Sequence, residues 1–102
     1  MGEFEQLVLL ALLRLQNRAY GMEVREEIES RTGRDVSYGA VYTTLDRLER
    51  KGWVSHEMGE STPERGGRAR KYFRVEPAGA DALRATREAL GVMWEGLRPE
   101  EL

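Results

Sequence analysis

The chain contains no cysteine and a single histidine, His56. Without thiols it can form neither a disulfide nor a thiolate metal centre, and one imidazole without a second is a poor metal ligand. No metal and no cofactor is expected, and the lack of cysteine fits a reducing compartment. Long apolar runs are also missing. The longest, Leu7-Val-Leu-Leu-Ala-Leu-Leu13, falls far short of the roughly 18–20 residues needed to cross a bilayer. The opening Met1-Gly-Glu-Phe-Glu5 has no basic segment, so a secretory signal is not expected and the chain reads as cytoplasmic. Enzyme signatures are absent too. There is no Gly-rich loop ahead of Lys-Ser/Thr, no nucleophile elbow and no paired histidine, and Gly66-Gly67 alone does not make a nucleotide site. The chain is therefore not read as an enzyme.

What is present suits a single small domain of 102 residues, whose modest core makes oligomerisation a natural supplement. The net charge of −2 hides an asymmetry. Residues 1–35 are net −2, residues 36–75 net +3 and residues 76–102 net −3. A local basic surface on an otherwise acidic chain is the footprint expected for a polyanionic partner.

The basic segment contains the most informative stretch, Ser37-Tyr-Gly-Ala-Val-Tyr-Thr-Thr-Leu-Asp-Arg-Leu-Glu-Arg-Lys-Gly52. At about 100° per residue, Val41, Leu45 and Leu48 fall on one narrow face. Gly39, Thr43, Asp46, Arg47 and Arg50 fall on the other, with Tyr38 and Tyr42 on the flank. Ser37 is placed to cap the helix N-terminus, Gly52 to end it, and Arg50 and Lys51 lie where the helix dipole favours cations. A face of small, hydroxyl, aromatic and guanidinium groups suits a DNA groove. The plainer reading is an amphipathic helix with a solvated face. Arg47 has no well-spaced acid on its own helix, whereas Asp46 and Arg50, four apart, read as an internal pair.

Before this stretch, residues 3–15 read as a helix apolar almost all round, the pattern of an element buried on two sides. Gln16-Asn-Arg18 is a polar break. A second helix spans Ala19 or Tyr20 to Thr32, with Tyr20, Val24 and Ile28 inward, a charged solvated exterior and Gly33 as its stop. A brief connector then leads into Ser37, which gives helix-turn-helix grammar. After Gly52 the period changes. Residues 53–57 and 70–75 read as strands, joined by a turn-rich loop carrying Arg65, Gly66, Gly67 and Arg68, a basic wing whose glycines permit close approach. From Pro77 to about Leu97 a last helix is expected. Leu83, Leu90 and Leu97 stand at heptad spacing beside Met93 and Trp94, a stripe that wants a partner helix or its own domain. His56 reads as a strand residue with solvent access.

Ala19-Tyr-Gly-Met-Glu-Val24, Arg34 through Gly52, Thr62-Pro-Glu-Arg-Gly-Gly-Arg68 and Tyr72-Phe-Arg-Val-Glu-Pro-Ala-Gly79 together resemble the PadR family of bacterial transcriptional regulators, in order and over nearly the whole chain. The resemblance implies a mainly α fold with a small β-hairpin. Residues 1–76 would form a winged helix-turn-helix DNA-binding domain, and residues 77–102 a C-terminal dimerisation helix of the short, single-helix kind. It further implies a homodimer on double-stranded DNA at a pseudo-palindromic operator, usually as a repressor, and sometimes released by phenolic or drug-like ligands.

By position, Tyr20, Ser37, Tyr38, Tyr42, Thr43 and Arg47, with Gly66, Gly67, Arg68 and Lys71 of the wing, would meet DNA. Leu83, Leu90, Met93, Trp94 and Leu97 would form the dimer interface. Trp94 is also the candidate for stacking a flat aromatic effector, against a plainer role in interface packing. Two positions depart from the family pattern: Trp53 replaces a smaller aliphatic residue, and Glu76 replaces a Thr that would cap the last helix better. The competing reading is a winged helix that binds a protein partner, which would call for an apolar or acid-complementary face in place of the Thr/Arg face.

Overall fold

The computed structural model describes residues 1–59 and 69–102. Four helices and a two-stranded sheet follow in the order α1 (Glu3–Arg14), α2 (Gly21–Thr32), α3 (Tyr38–Arg50), β1 (Val54–Met58), β2 (Lys71–Val75) and α4 (Pro77–Trp94), with a final 3-10 turn at Pro99–Glu101. Local chemistry sets most of the boundaries. The Tyr20 amide donates to Glu23 Oε1 at 3.0 Å at the start of α2, and Gly33 ends that helix at φ 71°. The Ser37 hydroxyl accepts from the Ala40 amide at 3.0 Å, satisfying one of the free donors of the first turn of α3. Gly52 turns the chain out of α3 at φ 78°.

α1 is the centre of the packing and touches α2, α3, β2 and α4. Its fully buried Val8, Leu9 and Leu12 meet Val24 and Ile28 of α2, Val41, Leu45 and Leu48 of α3, and Phe73 of β2 in one core. The expected α3 stripe is thus the buried one. Thr44 joins it at 4% exposure.

β1 and β2 pair antiparallel with Val54 opposite Val75 and Met58 opposite Lys71. The polar break after α1 does more than connect. Gln16 and Asn17 take positive φ, 62° and 58°. Asn17 then fastens to the end of β2 by accepting from the Val75 amide at 2.7 Å and donating to the Val75 carbonyl at 3.2 Å. Two residues on, Ala19 and Phe73 exchange both backbone hydrogen bonds. The segment after α1 therefore acts as a third edge of the sheet.

The charged exterior assigned to α2 is only partly solvent. Arg25 Nε donates to the Val36 carbonyl at 2.7 Å, and Glu29 Oε2 accepts from the Val36 amide at 3.0 Å. These two side chains clamp the turn between α2 and α3.

α4 begins without a side-chain cap at Glu76, as its departure from Thr suggests. The Glu76 amide instead donates to the Trp53 carbonyl at 2.8 Å. Gly79 sits so close to that carbonyl that a Cβ would lie 2.4 Å from its oxygen. The helix ends at Trp94, not near Leu97, because Glu95 is extended and Gly96 turns left-handed at φ 79°. Leu97 is therefore off the helical stripe that heptad spacing gave it. From Arg87 onward every residue is exposed, and this projecting helix makes the molecule elongated, 56 × 28 × 21 Å.

Candidate nucleic-acid interface

The outward face of α3 carries Tyr38, Gly39, Thr43, Asp46, Arg47 and Arg50, all exposed. Among the described residues no other element lies over it. A Cβ on Gly39 would meet nothing within 4 Å, so the face is open at its N-terminal turn. Asp46 and Arg50 form no ion pair with each other among the described residues. Each is a separate charge on this face.

Tyr42 stands between face and core. Its ring lies 4.7 Å from that of Tyr38 and 6.5 Å from that of Phe73. It also lies so tightly over Gly21 that a Cβ there would be 2.6 Å from a ring carbon. Burial, with the neighbouring Tyr38 hydroxyl second, pushes the Tyr42 phenol up to about 12. Tyr42 is therefore a neutral hydroxyl at any ordinary pH. Tyr38 is the more open of the pair, at 43% exposure.

Beside α3, the start of α2 and the base of the hairpin form an alternating ledge of cations and rings. Arg70 lies 3.9 Å over the Tyr20 ring, and Arg18 lies 4.0 Å over the Tyr72 ring. The two rings meet edge to face at 5.8 Å. Arg18 is held in turn by Glu57 at 3.0 Å. Stacking fixes the arginine planes while leaving their N–H edges available. Arg70 is near enough to act electrostatically on Tyr42, so ledge and helix face adjoin. Lys71 is exposed on β2. Gly66, Gly67 and Arg68, with Arg65, lie outside the described residues.

Arg47 departs from expectation. Its Nε donates to Glu5 Oε2 of α1 at 3.0 Å, and Lys51 Nζ donates to the same oxygen at 2.9 Å. The Gly2 amide reaches Glu5 Oε1 at 3.2 Å. The acid that Arg47 lacks on its own helix is supplied by another helix, 42 residues away. Glu5 is only 6% exposed. Its burial alone would raise its pKa, but the hydrogen bonds from Lys51, Arg47 and Gly2 outweigh that and hold the carboxyl at about 2. Glu5 is thus an anion with two half-exposed cations gathered on it. Sequence reading passed over it, although it falls on the buried stripe with Leu9 and Leu12, where a carboxylate requires a partner.

Other charged contacts tie elements together. The Arg34 guanidinium grips Glu3 with two bonds of 2.7 and 3.1 Å, and this holds the Glu3 carboxyl below its ordinary range. His56 Nδ1 lies 2.6 Å from Glu49 Oε2, so the histidine links β1 to α3 and is less open than a solvated strand residue. Among the described residues, no three acids or histidines cluster to hold a metal, and no helix is long and apolar enough to cross a membrane.

The five residues assigned to the dimer interface divide. Leu83 is half-buried against the subunit's own core. Leu90, Met93, Trp94 and Leu97 are 48%, 75%, 54% and 50% exposed. Leu10 and Leu13 of α1 are exposed as well. Between them and α4 runs an apolar groove of about 520 Å³, lined by Leu10, Leu13, Leu83, Leu90 and Trp94.

Three helices, a hairpin fastened to the chain before α2, and an uncovered third helix define a winged-helix protein. The chain superposes on a winged-helix DNA-binding protein from STIV with a TM-score of 0.74, covering 96% of this chain and 98% of that one at 19% identity. Residues 9–85 match the transcriptional regulator PadR-like family, and the chain belongs to that family, whose members are transcriptional regulators rather than enzymes. It is 40% identical over 74 residues to the transcriptional regulator Rv3488 of Mycobacterium tuberculosis, an alignment covering 72% of this chain and 64% of that regulator. The chain thus spans just under two thirds of that relative's length. A PadR-like transcription factor from Bacteroides fragilis is 25% identical, with a TM-score of 0.77 over 90% of this chain and 84% of that one.

Proposed function

We propose that the protein is a sequence-specific DNA-binding regulator that acts as a homodimer on a pseudo-palindromic operator, as a repressor. The observation that carries this reading is the outward face of α3, uncovered among the described residues and bordered by the Arg18–Tyr72–Tyr20–Arg70 ledge. Tyr38, Thr43 and Arg47 are the groups of that face suited to bases and phosphates, with Ser37 and Tyr42 at its edge. Tyr20 and Lys71 are proposed to meet flanking phosphates, and Gly66, Gly67 and Arg68 are assigned to the wing on the sequence pattern. The exposed Leu90, Met93 and Trp94 of α4, with Leu10 and Leu13 of α1, are the apolar surface that a second copy would cover. In the groove between them, Trp94 would stack a small flat aromatic effector that releases the DNA.

Nuclease protection of the duplex flanking the protein's own gene tests this reading. Two protected half-sites are expected, about 10 bp or a multiple apart and related by a dyad. A single patch without symmetry, or no protection at low salt, would overturn it in favour of a winged helix serving a protein partner.

A further inference from the structure

Glu5 is a buried carboxylate that no step of duplex binding uses, yet it holds two cations at the edge of the α3 face. Arg47 donates Nε to it at 3.0 Å, and Lys51 donates Nζ at 2.9 Å. Arg47 Nη2 also reaches Thr44 Oγ1 at 3.4 Å. Of the five N–H donors of a guanidinium, Nε–H and one on Nη2 are thereby committed, and Nη1 has no partner among the described residues. A guanidinium pinned at one edge keeps a fixed plane and a free end, the geometry a bidentate contact to a guanine edge requires. An unpinned arginine on a flexible stem neutralises any phosphate within reach. The same oxygen draws Lys51 inward, and a lysine committed to an internal anion releases no counterion when DNA binds.

We propose that Glu5 is a positioning residue for the α3 face: its carboxylate fixes the Arg47 guanidinium and withholds Lys51 from phosphates, so that α3 discriminates between sequences. The proposal rests on the DNA-binding reading above and assigns α1 a part in recognition without any contact to DNA. Glu5 is suited to this because it is charged at every pH at which the protein would work, its carboxyl held at about 2. Its position is set by the most buried helix of the core, and the Gly2 amide holds its other oxygen.

The test compares Glu5→Gln with the parent on the native flanking duplex and on a scrambled duplex, across a salt series. Circular dichroism checks that the variant is folded. The glutamine keeps the shape and removes the charge. Binding to scrambled duplex is expected to tighten several-fold to about tenfold at low salt, with a salt slope steeper by about 0.9 for each cation released. The preference for native duplex should fall accordingly. Unchanged scrambled-duplex binding and an unchanged slope would overturn the proposal.

Arg47→Ala, at a half-exposed position, gives an independent check. It should lower affinity for native duplex about tenfold or more while leaving scrambled-duplex binding and slope as in the parent. Equal losses on both duplexes, with a slope shallower by about one, would mean that Arg47 is an ordinary phosphate contact and would also overturn the proposal. If the parent itself does not distinguish the duplexes, the DNA reading fails first and takes this inference with it. If the parent discriminates and Glu5→Gln matches it, the inference alone fails.

Discussion

Glu5 and Asn17 are two residues whose roles depend on distant partners. Glu5 reaches Arg47 across 42 positions and Asn17 reaches Val75 across 58, and no local pattern encodes either pairing. Ser37, Gly33 and Gly52 were legible because their partners lie within one helical turn. Glu5 also sets a pH dependence with a definite sign. Its folded pKa, about 2 against an ordinary 4.5, is depressed. Its contribution to stability is therefore fully present above about pH 4.5 and is lost as pH falls towards 2. Because Arg47 and Lys51 are half-exposed and partly screened, that contribution is taken as about 2 kcal/mol. Urea unfolding at pH 7, 4 and 2.5 should show the parent losing about this much more than Glu5→Gln. Parallel losses in the two proteins would mean that the ion pairs do not stabilise the fold.

At the scale of elements, the helices were legible because their apolar stripes and caps agree. The hairpin strands were legible from the switch in period. Two features were not. The third sheet edge at Ala19 is a backbone pairing with Phe73, which side-chain patterning cannot announce. The true end of α4 depends on Gly96 taking a left-handed φ, whereas leucine spacing alone carried the helix to Leu97. Two glycines should respond in opposite ways. Gly79→Ala would push a Cβ to 2.4 Å from the Trp53 carbonyl oxygen. Backbone at both sides cannot yield cheaply, so the expected cost is about 1–3 kcal/mol, seen as a lowered thermal midpoint. Gly39→Ala meets open space and should hold or raise the midpoint, by up to about 1 kcal/mol from helix propensity. The same change adds bulk to the α3 face, so it should weaken duplex binding while the fold gains. A Gly79→Ala protein as stable as the parent would mean that α4 does not seat on Trp53.

For the whole molecule, the sequence showed where positive charge concentrates and which helix is apolar on more than one side. It did not show that part of the basic segment is internally committed, with Arg47 and Lys51 both held by Glu5 of α1. A net +3 over residues 36–75 therefore overstates the charge free to meet a polyanion. The projecting α4 and the exposed leucines of α1 are the apolar surface that the proposed homodimer would cover. Trp94→Ala should weaken self-association, shifting the sedimentation coefficient towards the monomer at micromolar concentration. A variant that sediments like the parent would take Trp94 out of the interface.

The most direct measurement is equilibrium binding of the parent protein to labelled duplex from beside its own gene and to a scrambled duplex of the same length, from low to physiological salt. A dimer that reads sequence through α3 predicts tight binding of the native duplex, a preference that persists as salt rises, and weak, steeply salt-dependent binding of the scrambled one. Equal affinity for both duplexes at every salt concentration would contradict it.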